Sequence, residues 1–164
     1  MGNNIFLKSL RIHFFTSFSM LEKIIELCPD DLWNCKKSGF VFWNQLIHTF
    51  AGMYVWLREE EMTSIPFSQV NGKNVPVEFE KDPDILLTKE EIIQCCKETK
   101  EIVEKWFDEK DDDWLKLPYK PYNKITNFDI TAGQIRHLMY HIGHCEAIFR
   151  ENGIDTGEYL DYYG

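Results

Sequence analysis

The segment TAGQIRHLMYHIGHCEAIFRENG, from Thr131 to Gly153, is the clearest indication of the fold of this chain. Its apolar residues recur at intervals of three and four, which is the period of a helix with one buried face. Thr131 and Gln134 have the spacing of a capping box at the helix start. Asn152-Gly153 is a typical left-handed stop, because glycine adopts a positive φ without a steric penalty. One continuous helix is therefore predicted between these signals.

Three further long helices are predicted, which makes the expected fold class all-α. Apolar residues recur with helical spacing over 4–28, and Pro29 ends this helix because the residue before a proline avoids helical backbone angles. The stretch 40–60 is apolar almost all round, which is typical of a heavily buried helix. Thr88 and Glu91 form a second capping box, which starts the third helix.

The connections after the second and third helices are long. Residues 61–87 contain three prolines and a glycine, which predicts a loop that either covers a functional site or simply crosses the surface. The charged run 108–114 is predicted as solvated surface, and 117–130 as an ordered aromatic loop. Four long helices joined in sequence indicate an up-and-down four-helix bundle. Residues 1–164 are therefore predicted to form a single domain.

Composition and charge argue against several classes of function. The net charge is −9 with no basic stripe, so nucleic-acid binding is not expected. No apolar run approaches about 20 residues, so no membrane span or membrane partner is predicted. The five cysteines show no CxxC spacing, which favours reduced, buried thiols in a cytoplasmic protein. Aromatic residues make up 15% of the chain, which predicts a core or pocket rich in rings.

The histidines of the fourth helix have the spacing of metal ligands. His137 and His141 are four residues apart and therefore lie on one helix face, and His144 lies near that face. An i, i+4 pair is a common way to hold two metal ligands. A single histidine on an apolar face is more often a hydrogen-bonded core residue, so a ligand from another helix is needed to favour the metal interpretation.

His48 is the candidate third ligand. It lies eight residues into the second helix, whereas His137 and His141 lie six and ten residues into the fourth. In an up-and-down bundle these helices run parallel, so a rise of about 1.5 Å per residue puts the three side chains at similar depth. A buried neutral imidazole needs partners for its ring nitrogens, and a metal supplies one. His13, on the first helix, is predicted to be hydrogen-bonded or partly exposed instead.

These residues resemble those of the DinB-like (YfiT-like) family of metal-dependent enzymes. The segment QLIHTFAGMYVWL matches a family pattern of a histidine followed eight residues later by Trp-Leu, and HLMYHIGH matches HxxxHxGQ. The resemblance covers essentially the whole chain and implies a four-helix bundle in which His48, His137 and His141 bind a divalent ion such as zinc or nickel. Gly143 takes the place of the family's small residue, and His144 replaces its glutamine.

The resemblance also implies a function. Characterised members include thiol transferases that use bacillithiol or mycothiol and a mycothiol-dependent isomerase, and homodimers are common. The chain is therefore expected to be an S-transferase that acts on a small-molecule thiol or electrophile. His144 is the candidate catalytic acid or base. It could instead support a metal ligand or bind the metal itself. Cys145, four residues after His141, is a further candidate soft ligand.

Three neutral imidazoles suit catalysis, because they leave coordination positions free. Such an ion lowers the pKa of a thiol or of water, which would support thiol transfer or hydrolysis equally well. Imidazole ligands suit zinc, nickel, copper and iron, so the metal is not specified. The alternatives are a metal-dependent hydrolase, a non-catalytic or stress-related protein whose ion only stabilises the bundle, and histidines that pack without a metal.

Overall fold

The computed structural model describes residues 4–59, 62–79, 81–108 and 110–160, which are mostly helical. The all-α fold class is therefore confirmed. The helices are α1 (Ile5–Leu27), α2 (Asp30–Trp33), α3 (Phe42–Trp56), α4 (Lys89–Phe107), α5 (Asp112–Leu115) and α6 (Asn127–Glu151). The strands form two small hairpins, β1 (Lys36–Lys37) with β2 (Phe40–Val41) and β3 (Gln69–Val70) with β4 (Lys73–Asn74).

The four longer helices pack against each other around one apolar core. α1 contacts α4 and α6, and α3 contacts the same two helices. The core is rich in rings, as predicted, and its largest fully buried aromatic side chains are those of Phe14, Phe18, Phe42, Trp43, Phe50, Tyr119 and Phe149. None of the described helices is long and apolar enough to cross a membrane.

Two of the predicted helix boundaries are confirmed, and both ends of the second long helix differ from the prediction. α1 ends at Leu27, two residues before Pro29. The capping box of α4 is present, with the Glu91 amide donating to the Thr88 hydroxyl and the Thr88 amide donating to the Glu91 carboxylate. The second long helix begins at Phe42 rather than at 40, because the preceding residues form the β1–β2 hairpin. It ends at Trp56, where the chain leaves helical geometry at Leu57, and residues 57–59 are not helical, so the predicted end at 60 is wrong.

The predicted start of the last helix at Thr131 is wrong. α6 begins at Asn127, and Thr126 caps it in a capping box with Asp129. Thr131 is instead fully buried inside the helix, where its hydroxyl accepts a hydrogen bond from the Trp106 indole N–H (3.0 Å) and donates to the Asn127 carbonyl (2.7 Å). The predicted stop is confirmed, since the helix ends at Glu151 and Gly153 has a φ of +70°.

The long connections carry more structure than the sequence analysis predicted. Asn71 and Gly72 both have positive φ and form the turn of the β3–β4 hairpin, which is a geometry that favours this residue pair. The run 108–114, apart from residue 109 outside the described part, is not only solvated surface. Asp112 lies in α5, and its carboxylate accepts the backbone N–H groups of Phe6 and Leu7 at the start of α1. It therefore satisfies donors that a helix leaves free at its first turn.

Candidate metal centre

Three histidines from two helices converge on one point. His48 on α3 and His137 and His141 on α6 each offer a ring nitrogen, and the three nitrogens lie within 4.8 Å of one another. The His48 ring centroid is 5.7 Å from that of His137 and 5.2 Å from that of His141. The predicted proximity of the three side chains is therefore confirmed, and the cluster could hold a metal ion.

A backbone carbonyl fixes the orientation of His48. Its Nδ1 lies 2.8 Å from the Val77 carbonyl oxygen. A carbonyl only accepts hydrogen bonds, so Nδ1 carries a proton, and Nε2 is the nitrogen that would ligate an ion. The segment that provides this carbonyl is itself held on α3, because the Asn44 side-chain amide donates to the Pro76 carbonyl at 2.7 Å. A hydrogen bond at the second ring nitrogen is characteristic of histidines that ligate metals.

The nitrogens of His137 and His141 are placed as two ligands of one ion would be. Their Nε2 atoms are 3.1 Å apart. Metal–nitrogen bonds of typical length place neighbouring imidazole nitrogens roughly 3.0–3.4 Å apart. Two neutral imidazoles that share one hydrogen bond give the same distance. The Nδ1 atoms of both rings are buried and have no hydrogen-bond partner within the described residues.

Burial keeps two of the three clustered imidazoles neutral. It lowers the pKa of His141 to about 3, with smaller contributions from the charges that His137, His48 and His144 would carry. The pKa of His137 falls to about 4 through burial and through His48. Both imidazoles are therefore unprotonated near neutral pH. A donor set made of imidazole nitrogens fits a borderline divalent ion such as zinc or nickel.

A glycine on α3 makes room for one of these rings. A Cβ atom added at Gly52 would lie 2.6 Å from the Cε1 atom of His137, which is closer than real Cβ atoms approach. Gly52 lies four residues after His48, so one face of α3 provides both an imidazole and the space for another. By contrast, a Cβ at Gly143, the small residue of the family pattern, would meet nothing within 4 Å.

Two phenylalanines from outside the long helices cover the cluster. The Phe79 ring packs 4.2 Å from the His48 ring and 6.1 Å from that of His141, measured between centroids. Phe40, in the β1–β2 hairpin, packs 4.2 Å from Phe79 and 5.5 Å from His144. One side of the cluster is therefore an aromatic wall, which lowers the local polarity and strengthens electrostatic interactions.

Sequence reasoning missed Val77, Phe79, Phe40 and Gly52. A glycine inside an apolar helix costs stability relative to alanine, so Gly52 could have been recognised as a packing position. The sequence carries no comparable signal for Val77 or Phe79. Their roles depend on the path of the connection between β4 and α4, which brings a carbonyl and a ring over α3.

The other candidate residues do not join the three converging nitrogens. His144 contributes no ligand atom to the cluster, but its Nδ1 is buried without a partner among the described residues. Cys145 is fully buried in the core, where burial and nearby Cys28 raise its pKa. His13 also lies outside the cluster. The catalytic role of His144 and the ligand roles of the three histidines remain predictions.

A scan against protein-family models found no match for this chain, and the searches of curated proteins and of solved structures found none either.

Proposed function

We propose that this protein is a divalent-metal-dependent enzyme with the four-helix-bundle fold of the DinB-like family. The four longer helices, with α1 and α3 each packed on α4 and α6, support the bundle. The motifs around His48, His137 and His141 support the family. The same resemblance favours a homodimer, which light scattering coupled to size-exclusion chromatography would test.

The orientation of His48 is the observation that carries the metal proposal. Its Nδ1–H donates to the Val77 carbonyl, which leaves Nε2 as the ring nitrogen available to an ion beside those of His137 and His141. A histidine that only packed in the core would gain nothing from an orientation fixed in this way. Three neutral ligands also leave further coordination positions of a divalent ion for a substrate.

Transfer of a thiol to an electrophile is the reaction we propose for this site. A divalent ion held by the three histidines would lower the pKa of a thiol and supply a thiolate at neutral pH. In the overall step the sulfur loses its proton and forms a bond to carbon, and the leaving group departs with the electron pair. Phe79 and Phe40 exclude water from one side of the site, which favours sulfur over water as the nucleophile.

His144 is the candidate acceptor for the thiol proton. Its Nδ1 has no partner within the described residues, and its ring packs edge-on against Phe40 at the border of the aromatic wall. A general base of this type needs a free lone pair within reach of the reacting proton. Replacement of His144 by glutamine, the residue of the family pattern, would therefore change the pH dependence of turnover without removing the metal.

The reaction is tested with metal-loaded protein, cysteine as the thiol and 1-chloro-2,4-dinitrobenzene as the electrophile. Formation of the thioether and release of chloride are expected with the zinc- or nickel-loaded protein. Both should be lost after chelation and in the variant His137→Ala, while far-UV circular dichroism stays unchanged. The variant His13→Ala removes a histidine outside the cluster and should retain both metal and turnover.

Other outcomes would identify the competing interpretations. Unfolding on chelation would indicate an ion that only stabilises the bundle. Turnover of an ester without any thiol would indicate a hydrolase. Failure to bind zinc or nickel at all would leave three packed histidines and would refute the proposal.

A further inference from the structure

A second group of unpartnered polar atoms lies beyond the end of α3, away from the histidines. The Nε and Nη1 atoms of Arg58 are buried and have no hydrogen-bond partner among the described residues. The Tyr119 hydroxyl is also buried and unpartnered, and Tyr119 is only 1% exposed. Both side chains line one cavity of about 220 Å³. His48 lies about 12 Å along α3 from the end of the helix at Trp56, so this cavity is separate from the candidate metal centre.

These unpartnered atoms call for a hydrogen-bond acceptor. A guanidinium group carries only donors and stays charged, so its burial without a partner is costly. The C-terminal end of α3 attracts a positive charge, which helps to explain why Arg58 is tolerated there. That attraction leaves the buried N–H groups of Arg58 without an acceptor. An anion with two oxygens would supply acceptors for the Arg58 guanidinium and for the Tyr119 hydroxyl.

The local charge favours an anion although the chain as a whole carries −9. Arg58, Lys110 and Lys120 line the cavity, and Lys105 lines the groove that adjoins it. Glu59 lies among them, but Lys110 donates a hydrogen bond to it and Lys120 lies 3.6 Å from it. Its charge is therefore compensated by the lysines. Arg58 forms no ion pair with any of the described carboxylates.

An apolar groove continues from this cavity. Arg58 and Glu59 line both spaces, and the groove has a volume of about 630 Å³. Leu57, Ile102 and Trp106 form much of its wall. A ligand that fills both spaces therefore has an acidic end in the cavity and an apolar body in the groove.

We propose that the cavity and the groove together bind a small organic carboxylate with an apolar body. The guanidinium of Arg58 holds the carboxylate, and the Tyr119 hydroxyl donates a further hydrogen bond. The apolar body packs against Trp106 and Ile102. This site does not depend on the metal or on the reaction proposed above.

The test is a set of binding titrations on the full chain with three probes. Phenylacetate has both features of the proposed ligand, phenylacetamide is its neutral counterpart, and inorganic phosphate lacks the apolar body. Saturable binding of phenylacetate is expected, with phenylacetamide at least about tenfold weaker, because hydrogen bonds to charged groups contribute that much. Phosphate should also bind more weakly than phenylacetate.

Variants assign the binding to this site. Arg58→Gln should weaken phenylacetate binding about tenfold or more, and Tyr119→Phe by a smaller factor, since it removes one neutral donor. Arg58→Lys keeps the charge but loses the fork, so it should also weaken binding. Lys97→Gln removes an exposed charge elsewhere on α4 and should have no effect. His137→Ala should likewise leave phenylacetate binding unchanged, which separates this site from any carboxylate bound at the metal.

Three results would overturn the proposal. The first is the absence of saturable phenylacetate binding, which would mean that the buried donors are satisfied in another way. The second is equal binding of the acid and its amide, or tighter binding of phosphate than of phenylacetate. The third is unchanged affinity in Arg58→Gln when circular dichroism shows that the variant is folded.

Discussion

Replacement of Gly52 by alanine should lower the affinity for zinc without lowering the stability of the metal-free protein. The new Cβ would lie 2.6 Å from the Cε1 atom of His137, whereas ordinary contacts begin at 3.4 Å. The imidazole or α3 must therefore move by about 0.4 Å to remove the overlap and by about 0.8 Å to restore an ordinary contact. Because metal–ligand distances tolerate deviations of only about 0.2 Å, a shift of this size disrupts coordination. The expected loss is about 10- to 100-fold in zinc affinity, which is typical when the support of a ligand is changed.

The stability of the metal-free protein should not fall in this variant. Alanine is favoured over glycine inside a helix by about 1 kcal/mol, and the ring of His137 can swing away from the new methyl group. Thermal unfolding of the apoprotein should therefore occur at an unchanged or higher temperature. Affinity would be measured by competition with a chromophoric zinc chelator.

Gly143→Ala is the matched control, because the same substitution on α6 meets nothing within 4 Å. It should leave zinc affinity unchanged. Zinc binding by Gly52→Ala as tight as that of the wild type, or equal losses of affinity in both variants, would show that Gly52 does not provide the space for His137.

Three further substitutions or modifications test the fold. Thr131→Val leaves the buried Trp106 indole N–H without an acceptor and should lower the free energy of unfolding by about 1–3 kcal/mol in urea denaturation. Thr126→Ala removes the N-cap of α6 and should cost about 1 kcal/mol, whereas a negligible loss would contradict the assigned helix start. In the native protein a thiol reagent should modify only the half-buried Cys35 quickly. Burial protects the other four cysteines and raises their pKa. Rapid reaction of more than one thiol would contradict this burial.

The sequence predicted the helices better than their boundaries. Pro29 and the pair Thr88 and Glu91 act locally, so their effects are visible in sequence. The start of α6 was misplaced because two threonines each have a polar residue three positions later. Tertiary contacts decide which threonine caps the helix, because Thr131 lies in the core as the hydrogen-bond acceptor of Trp106. The hairpin at Asn71-Gly72 had a recognisable turn signal that was overlooked.

The part of the candidate site that depends on local helix geometry was also predictable from the sequence. The spacing of His137 and His141 fixes their common face, because it depends only on helix geometry. His48 was expected at the same depth as His137 and His141 from helix starts at 40 and 131. The helices begin two residues later and four residues earlier, respectively, so the three histidines meet although the depths were counted from the wrong residues. The contributions of Val77 and Phe79 depend on the path of a long connection, which local sequence patterns do not encode.

X-ray absorption spectroscopy of the zinc-loaded protein shows whether three imidazoles bind one ion. We expect one zinc ion per chain, with three imidazole nitrogens at about 2.0–2.1 Å and the remaining coordination supplied by an exchangeable ligand such as water. In His137→Ala the imidazole contribution should fall to two nitrogens, with weaker binding. A spectrum without histidine scattering, or one that is unchanged in His137→Ala, would contradict this expectation.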